Sequence, residues 1–517
     1  MSFLHDNMLF WKVAPLSRLM MPFIAGIVLE FYFPVPGHWN ETIFLICLIA
    51  IAVSLILSPN QLLACSRIIG IIILLAFVCL GRFISRSTGA SLISGRSSLS
   101  DSIFAAILTS NPVQKNGSYR STATIHYGCS GISCYREDKK IVVHFRDSLL
   151  SPQIEQGVWI IFRKRIYPIQ NTGEGSFDYV HYCRLKQIQG QVFLKSSDYS
   201  LSKYREKSFQ SALLYWRKKI IRIIRQYVPG KEESGLLEAL LVGFTEDLDR
   251  SVVQSYADTG VVHIIAISGL HLALIYQILQ FFLSRINRSK GEKWIRMVVL
   301  MLALWLFSLL SGASPSVLRS AVMFSLVLTG NHFSRQANGY NSLAASCFLM
   351  LCFNPYWLWD AGFQLSYAAV FGIFAFLSPI QNLVHPKNKI LSGLWQAASI
   401  SIAAQITTMP ISLYYFHRFP TYFLLTNIPV VPFSSLILAA GIALCICSVW
   451  APLAGLLGLA LGTAIKWLNA FIAYTARLPG AICENLQVGL MQVILLYILI
   501  YLISHYLRVR TKAINRL

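Results

Sequence analysis

Charge is scarce in this sequence. Only 13% of its 517 residues are charged, where a soluble domain carries about 25%. That shortage excludes a large soluble globular protein and points to a chain that crosses a membrane many times. Acidic groups are scarcer still, with 22 Asp and Glu against 44 Lys and Arg and a formal net charge of +22. Part of the excess is the Lys/Arg bias of cytoplasmic loops, but the polar part of the chain is basic too, which favours an anionic partner. No G-x-x-x-x-G-K-[ST] string occurs, so any driving force must come from outside this chain. None of the eleven histidines forms an H-x-H-x-D-H cluster and no other His/Asp set stands at metal spacing, so neither metal nor cofactor is expected. A small-residue cleavage site is missing after Lys12 and Arg18, and the first apolar run is therefore expected to stay as a span. Most cysteines lie in apolar segments as small packers. Cys129 and Cys134 instead flank a short loop, without His or Cys around them at zinc spacing.

Long apolar runs are what the chain has most of. Three come first, Leu19 to Val35, Ile43 to Leu57 and Ile68 to Ile84. Hydropathy then collapses, and from Ser85 short alternating runs such as 121–127, 141–145 and 158–162 predict a small β-barrel or sandwich. A helix is expected from about Tyr204 to Tyr227. Its apolar positions alternate with Arg217, Lys218, Lys219, Arg222 and Arg225. That pattern fits a helix at an anionic lipid surface, one reaching toward nucleic acid, or the solvated face of a packed helix. Nine further runs follow, including a short one at Ser342 to Phe353 and a Pro-interrupted one from Tyr422 to Trp450. The fold class is thus a polytopic α-helical membrane protein of about twelve spans with an inserted β-rich domain. Its divisions are expected at 1–84 (first spans), 85–202 (insert), 203–232 (basic amphipathic helix) and 233–517 (remaining spans). Basic loops alternate with loops poor in Lys and Arg, which puts both termini in the cytoplasm and the insert outside. An oxidising outer compartment permits a disulfide between Cys129 and Cys134, leaving Cys183 unpaired.

The segment Asp258-Thr-Gly-Val-Val-His263-Ile-Ile-Ala-Ile-Ser268-Gly269-Leu-His271 stands out, because it sets titratable groups inside an apolar run. Such groups are costly at membrane depth and line cavities or pair with one another. Gly269 weakens a helix and predicts a break at Ser268-Gly269.

Several strings resemble the ComEC-type competence family. They are His263-Ile-Ile-Ala-Ile-Ser-Gly-Leu-His271, Gly312-Ala-Ser314-Pro315-Ser-Val-Leu-Arg319, and Asn354-Pro355 through Asp360-Ala-Gly-Phe-Gln364-Leu-Ser366. Gln405 with Pro410, and Asn427-Ile-Pro429-Val-Val-Pro432, match later positions. Asn171 to Tyr179 is similar to a string in the family's OB-fold-like domain, with Thr in place of Pro and stretched spacing. The resemblance implies a channel passing single-stranded DNA across the bacterial inner membrane during natural transformation. It also implies contact with membrane lipids and a separate receptor, nuclease or motor. Many members end in a metallo-β-lactamase-like domain. This chain stops about ten residues after its last run, so no nuclease or other enzyme activity is expected of it.

The loop charges place His263, Ser268, His271, Arg319, Asp360, Gln364, Gln405 and Asn427 in the outer half of the membrane or near its middle, as the wall of an outward-open vestibule. Ser314-Pro315 reads as a helix start with free N–H groups for a phosphate. Arg319 either neutralises a passing phosphate or pairs with Asp360. In an unbroken helix Ser268 and His271 are neighbours and His263 points elsewhere; a break lets all three face one cavity. Aromatic residues of the insert, Tyr119, Tyr127, Tyr135, Trp159 and Phe162, either fill a barrel core or stack on bases. Two other classes stay open: a hydrolase built on Ser268, His271 and Asp258, and a small-solute transporter, against which no inverted repeat is visible.

Overall fold

In the computed structural model, residues 14–34, 39–54, 56, 60–61, 65–93, 102–115, 118–130, 133–146, 154–171, 178–202, 209–284, 290–333 and 338–514 are described. The family-like turn at 172–177 and the expected helix start at 204–208 lie outside them. Two compact units divide the chain, Arg18–Tyr215 with Met350–Trp359, and Met1–Ser17 with Trp216–Leu349 and Asp360–Leu517.

The first unit opens with three apolar helices, α1 (Pro15–Tyr32), α2 (Trp39–Ser54) and α3 (Ser66–Ile93). Helices α1 and α3 meet backbone to backbone. A side chain on Gly26 would strike the carbonyl of Val78, and one on Gly81 that of Phe23, so only glycine permits this approach. Beside the crossing the Arg82 Nε and Nη2 donate to Glu30 Oε2 at 3.1 and 3.0 Å, which pairs a nearly buried carboxylate.

The sheet follows: β1 (Ile103–Leu108), β2 (Val113–Lys115), β3 (Ser118–Ser130), β4 (Ser133–Phe145), β5 (Trp159–Phe162), helix α4 (Tyr179–Leu185), β6 (Ile188–Leu194) and β7 (Tyr199–Leu201). Strand order is β6-β4-β3-β1-β5-β7, with β2 on β3, and only β4 and β6 run parallel. Alternation decides the faces: Phe104, Ala106, Leu108, Ala123, Ile125, Ile141, Val143 and Phe145 point inward with Ile160, Phe162, Val192 and Leu194. The β3–β4 register sets Cys129 opposite Cys134, and their sulfurs are bonded, 2.08 Å apart. Cys183 is a buried free thiol. A 3₁₀ turn at Pro355–Trp359 also belongs here. Asn354 Oδ1 accepts the Tyr356 N–H at 3.0 Å, and the Trp359 ring lies 4.2 Å from that of Phe31.

The second unit is helical: α5 (Phe209–Tyr227), α6 (Lys231–Val242), α7 (Arg250–Asp258), α8 (Val262–Ile265), α9 (Gly269–Leu283), α10 (Lys290–Leu310), α11 (Pro315–His332), α12 (Gly339–Phe353), α13 (Ala361–Gln381), α14 (Lys389–Phe416), α15 (Phe423–Cys447), α16 (Ala451–Ala476) and α17 (Leu490–Ile514), with a ribbon of β8 (Phe419–Pro420) and β9 (Ile482–Cys483). Leu236, Leu237, Leu240, Leu241, Ile437 and Ile465 belong to its main buried cluster. Across the described residues six helices are long and apolar enough to cross a membrane, and four shorter ones are apolar. Their outer faces carry leucine and isoleucine in the open, such as Ile46, Leu302, Leu436 and Leu495, which water would not stabilise and acyl chains would.

Two expectations need correction. The stretch 422–450 is not interrupted: α15 runs unbroken through Pro429 and Pro432, as α14 does through Pro410. Proline is tolerated in a membrane-embedded helix where neighbours and Ser/Thr side chains satisfy the freed backbone. Ser314 occupies the cap position of α11 with Pro315 next, but its hydroxyl makes no capping bond.

Candidate functional site

The chain breaks where Ser268 and Gly269 stand. Helix α8 ends at Ile265, Ala266 turns extended (φ −78°, ψ 124°), Ser268 stays extended (φ −107°, ψ 167°), and α9 starts at Gly269. The break is held by an exchange within its first turn: the Ser268 backbone N–H donates to His271 Nδ1 at 3.2 Å. That bond leaves the imidazole proton on Nε2. His271 is buried, while His263 on α8 is exposed by surface area.

Gly269 abuts α11. A methyl group at this position would collide with Ser320 Oγ and come within 3.1 Å of Arg319 Nη2. The Arg319 side chain is 6% exposed, and its contacts are weak for a guanidinium. Nη2 donates to Ser320 Oγ at 3.3 Å, Nη1 to Met323 Sδ at 3.9 Å, and Nε has no partner. The Tyr367 ring lies under it at 5.7 Å, its hydroxyl 3.1 Å from Ser346 Oγ. Arg319 does not pair with Asp360. That carboxylate instead caps α13, accepting the Phe363 N–H at 3.1 Å. Ser366, on α13, meets Ser316 of α11 at 3.1 Å between hydroxyl oxygens. Gln364 is half-buried in the first turn of α13 and Gln405 half-buried along α14. Asn427 lies on α15, its Oδ1 buried without a partner.

The structure does not bring Asp258 to His271. Asp258 ends α7, accepts from Gln254 Nε2 at 2.5 Å and faces Arg418 Nη1 at 3.8 Å. Ser268 Oγ is 3.5 Å from His271 Nδ1, the nitrogen already committed to the Ser268 N–H, so these three residues do not form a relay. Among the described residues no group of three His, Cys, Asp or Glu side chains is placed to hold a metal ion. Sequence reasoning missed Tyr367, which follows the family string directly and lies one helical turn beyond Phe363. It also missed Tyr256, whose hydroxyl donates to Asn469 Oδ1 at 2.8 Å, and Thr426, which donates to the Thr259 carbonyl at 2.7 Å.

The five basic side chains of α5 divide into two sets. Arg225 Nε and Nη2 grip the fully buried Glu238 at 2.9 and 3.3 Å, and Nη2 reaches Asp247 at 2.5 Å. Arg217 is half-buried over the Phe244 ring at 5.9 Å. These two are therefore structural, a correction to the reading of the helix as one basic face. Lys218, Lys219 and Arg222 are exposed.

A second locus lies on the sheet of the first unit. An open cleft of about 400 Å³ is lined by Ala105, His126, Tyr127, Arg136, Trp159 and Ile161, with Ser202 at its edge. Tyr127 stacks with Trp159 at 6.3 Å between centroids, and Trp159 Nε1 is buried without a partner. Asp138 organises the cationic side, taking His126 Nδ1 at 2.7 Å and Arg136 Nε at 3.1 Å. Those contacts, the His126 bond foremost, hold the Asp138 carboxyl below its ordinary value. Tyr119 and Phe162, by contrast, belong to the apolar core of the sheet.

The sequence model of the competence protein family matches residues 240–510, more than half of the chain and all of the broken-helix site. The chain is 31% identical over 324 residues to ComE operon protein 3 of Bacillus subtilis (strain 168). That match covers 61% of this chain and 38% of the relative, so the chain spans well under half of that protein's length. No solved structure matches it. The chain belongs to the competence protein family.

Proposed function

We propose that this protein serves DNA uptake for competence, as a membrane conduit through which a single strand passes into the bacterial cytoplasm. The observation that carries the reading is the break at 266–268 within the family-matched region, with buried His271 and Arg319 beside it. Polar side chains and irregular backbone survive at membrane depth where they line a path. The proposed twelve spans would be the six long apolar helices, the four shorter ones and the more polar α11 and α14. Lys/Arg-rich loops favour cytoplasmic termini and an extracytoplasmic sheet domain. The order β6-β4-β3-β1-β5, with β4 and β6 parallel, supports an OB-fold-like reading of that domain, and its aromatic cleft suits unpaired bases. Lys218, Lys219 and Arg222 would meet phosphates of the strand or of anionic lipids. We assign the conduit residues no catalytic step, and the drive for the strand comes from outside them.

The test is a strain deleted for this gene, given labelled duplex DNA. The expected result is loss of nuclease-protected internal DNA with surface binding and solute uptake preserved. Internalisation at the parental level would refute the reading.

A further inference from the structure

We propose that the first turn of α9 and the guanidinium of Arg319 together form a binding site for one phosphodiester group. The site deepens the conduit reading and rests on it for the passing strand as the source of that group.

Two positive features converge here without a negative one. Helix α9 is fifteen residues long, so its first N–H groups lack intrahelical acceptors and its N-terminus carries about half a positive charge. The Ser268 N–H is taken by His271, and those of Gly269 and Leu270, in the first turn, have no intrahelical acceptor. Arg319 brings a full charge to the same point: its Nη2 stands 3.1 Å from where a Gly269 side chain would begin. Among the described residues no carboxylate pairs with Arg319, whose neighbours are a hydroxyl, a thioether and an aromatic ring. A guanidinium on a residue 6% exposed, with Nε unsatisfied, beside a helix N-terminus is an arrangement that an anion stabilises from both sides. The missing side chain at Gly269 is what lets α11 bring Arg319 this close to the start of α9, since any Cβ would run into Ser320.

The chemistry narrows the ligand. One net positive charge and two directions of donation suit a singly charged tetrahedral group with two free oxygens, one taking the guanidinium edge and the other the helix N–H groups. A phosphodiester has that form, whether it comes from a DNA strand or from a phospholipid.

Two variants test the site in the full chain as the sole copy in the cell. Arg319→Met removes the charge and is expected to cut internalised DNA about 10- to 100-fold, the loss of one charge-assisted bond. Ser320→Asp supplies a carboxylate where Oγ now sits 3.3 Å from Nη2. It is expected to raise the thermal midpoint of the purified protein while uptake falls, because an internal anion now fills the site. Normal uptake in either variant overturns the proposal, and so does a Ser320→Asp protein that gains no stability. If Arg319→Met fails to fold, the Ser320→Asp result still decides. In maltoside micelles, an oligothymidylate should stabilise the wild type more than its methylphosphonate analogue does, and Arg319→Met should erase the difference. Equal stabilisation by the two oligomers overturns the proposal. An Arg319-dependent response to phosphatidylglycerol alone overturns the strand as the source and leaves a lipid site. If the deletion strain takes up DNA normally, the parent reading falls separately from these outcomes.

Discussion

Arg225→Met is expected to unfold the helical unit at a lower temperature without acting on DNA. The magnitude follows from the geometry. Glu238 is fully buried, and its two oxygens are held by Arg225 Nε and Nη2 at 2.9 and 3.3 Å. Removing one partner of a buried pair costs about 3–5 kcal/mol, because the other charge is left without compensation. Arg225 is itself half exposed, so water reaches part of the hole and the lower range, about 2–4 kcal/mol, applies. At about 2 °C per kcal/mol for a unit of roughly 300 residues, the midpoint should drop by about 4–8 °C. The assay is thermal unfolding of the full chain in detergent, followed by size-exclusion of the surviving fraction. A second substitution, Glu238→Leu, should return most of the loss, since an apolar pair replaces a broken ionic one. Lys218→Gln, Lys219→Gln and Arg222→Gln together should leave the midpoint nearly unmoved, as exposed substitutions stay within about 0.5 kcal/mol. They should instead flatten the salt dependence of oligonucleotide binding, by about 0.7 in slope per lost contact. A midpoint unchanged in Arg225→Met, with the salt slope reduced, would refute the division of α5 into structural and exposed cations.

Two further outcomes concern the sheet domain. Trp159→Ala and Tyr127→Ala should each weaken oligonucleotide binding by the full chain by about 1–3 kcal/mol, the worth of a stacked base; unaltered affinity at low salt would reduce the cleft to a folding element. Burial, with help from Arg120, pushes the His144 imidazole below its ordinary value. The folded form therefore binds fewer protons than the unfolded one, so the domain keeps its full stability above about pH 6.5 and loses some as pH falls through that value. Limited proteolysis of the full chain between pH 7.5 and 5.5 should show faster cleavage within 103–201 at the acid end. His144→Phe, which keeps the stack on Phe193, should flatten that dependence. Equal pH sensitivity in the variant would assign it to other groups.

The break at 266–268 was legible because glycine and serine inside an apolar run oppose a continuous helix whatever surrounds them. The alternation that sets the sheet's faces was legible for the same local reason. Partnerships across helices were not. Arg319 and Asp360 each sit near a helix start, and that similarity suggested a pair. Depth along a helix does not fix direction around it, and Asp360 turns back onto its own first turn while Tyr367 takes the place under the guanidinium. Arg225 reads as one more cation on a basic helix, because its acids come from α6 and from the loop beyond it. Pro429 and Pro432 signal an interruption in any local reading, yet α15 continues through both.

The two-residue ribbon of β8 and β9 has a mechanical consequence. Thr421 N–H reaches the Ala481 carbonyl at 3.1 Å, Leu486 N–H reaches that of His417 at 3.1 Å, and Arg418 stands 3.8 Å from both Asp258 and Glu484. The ends of α7, α14 and α16 and the starts of α15 and α17 are thereby stitched into one buckle. A displacement that parts the end of α14 from that of α16 must undo these bonds before anything else.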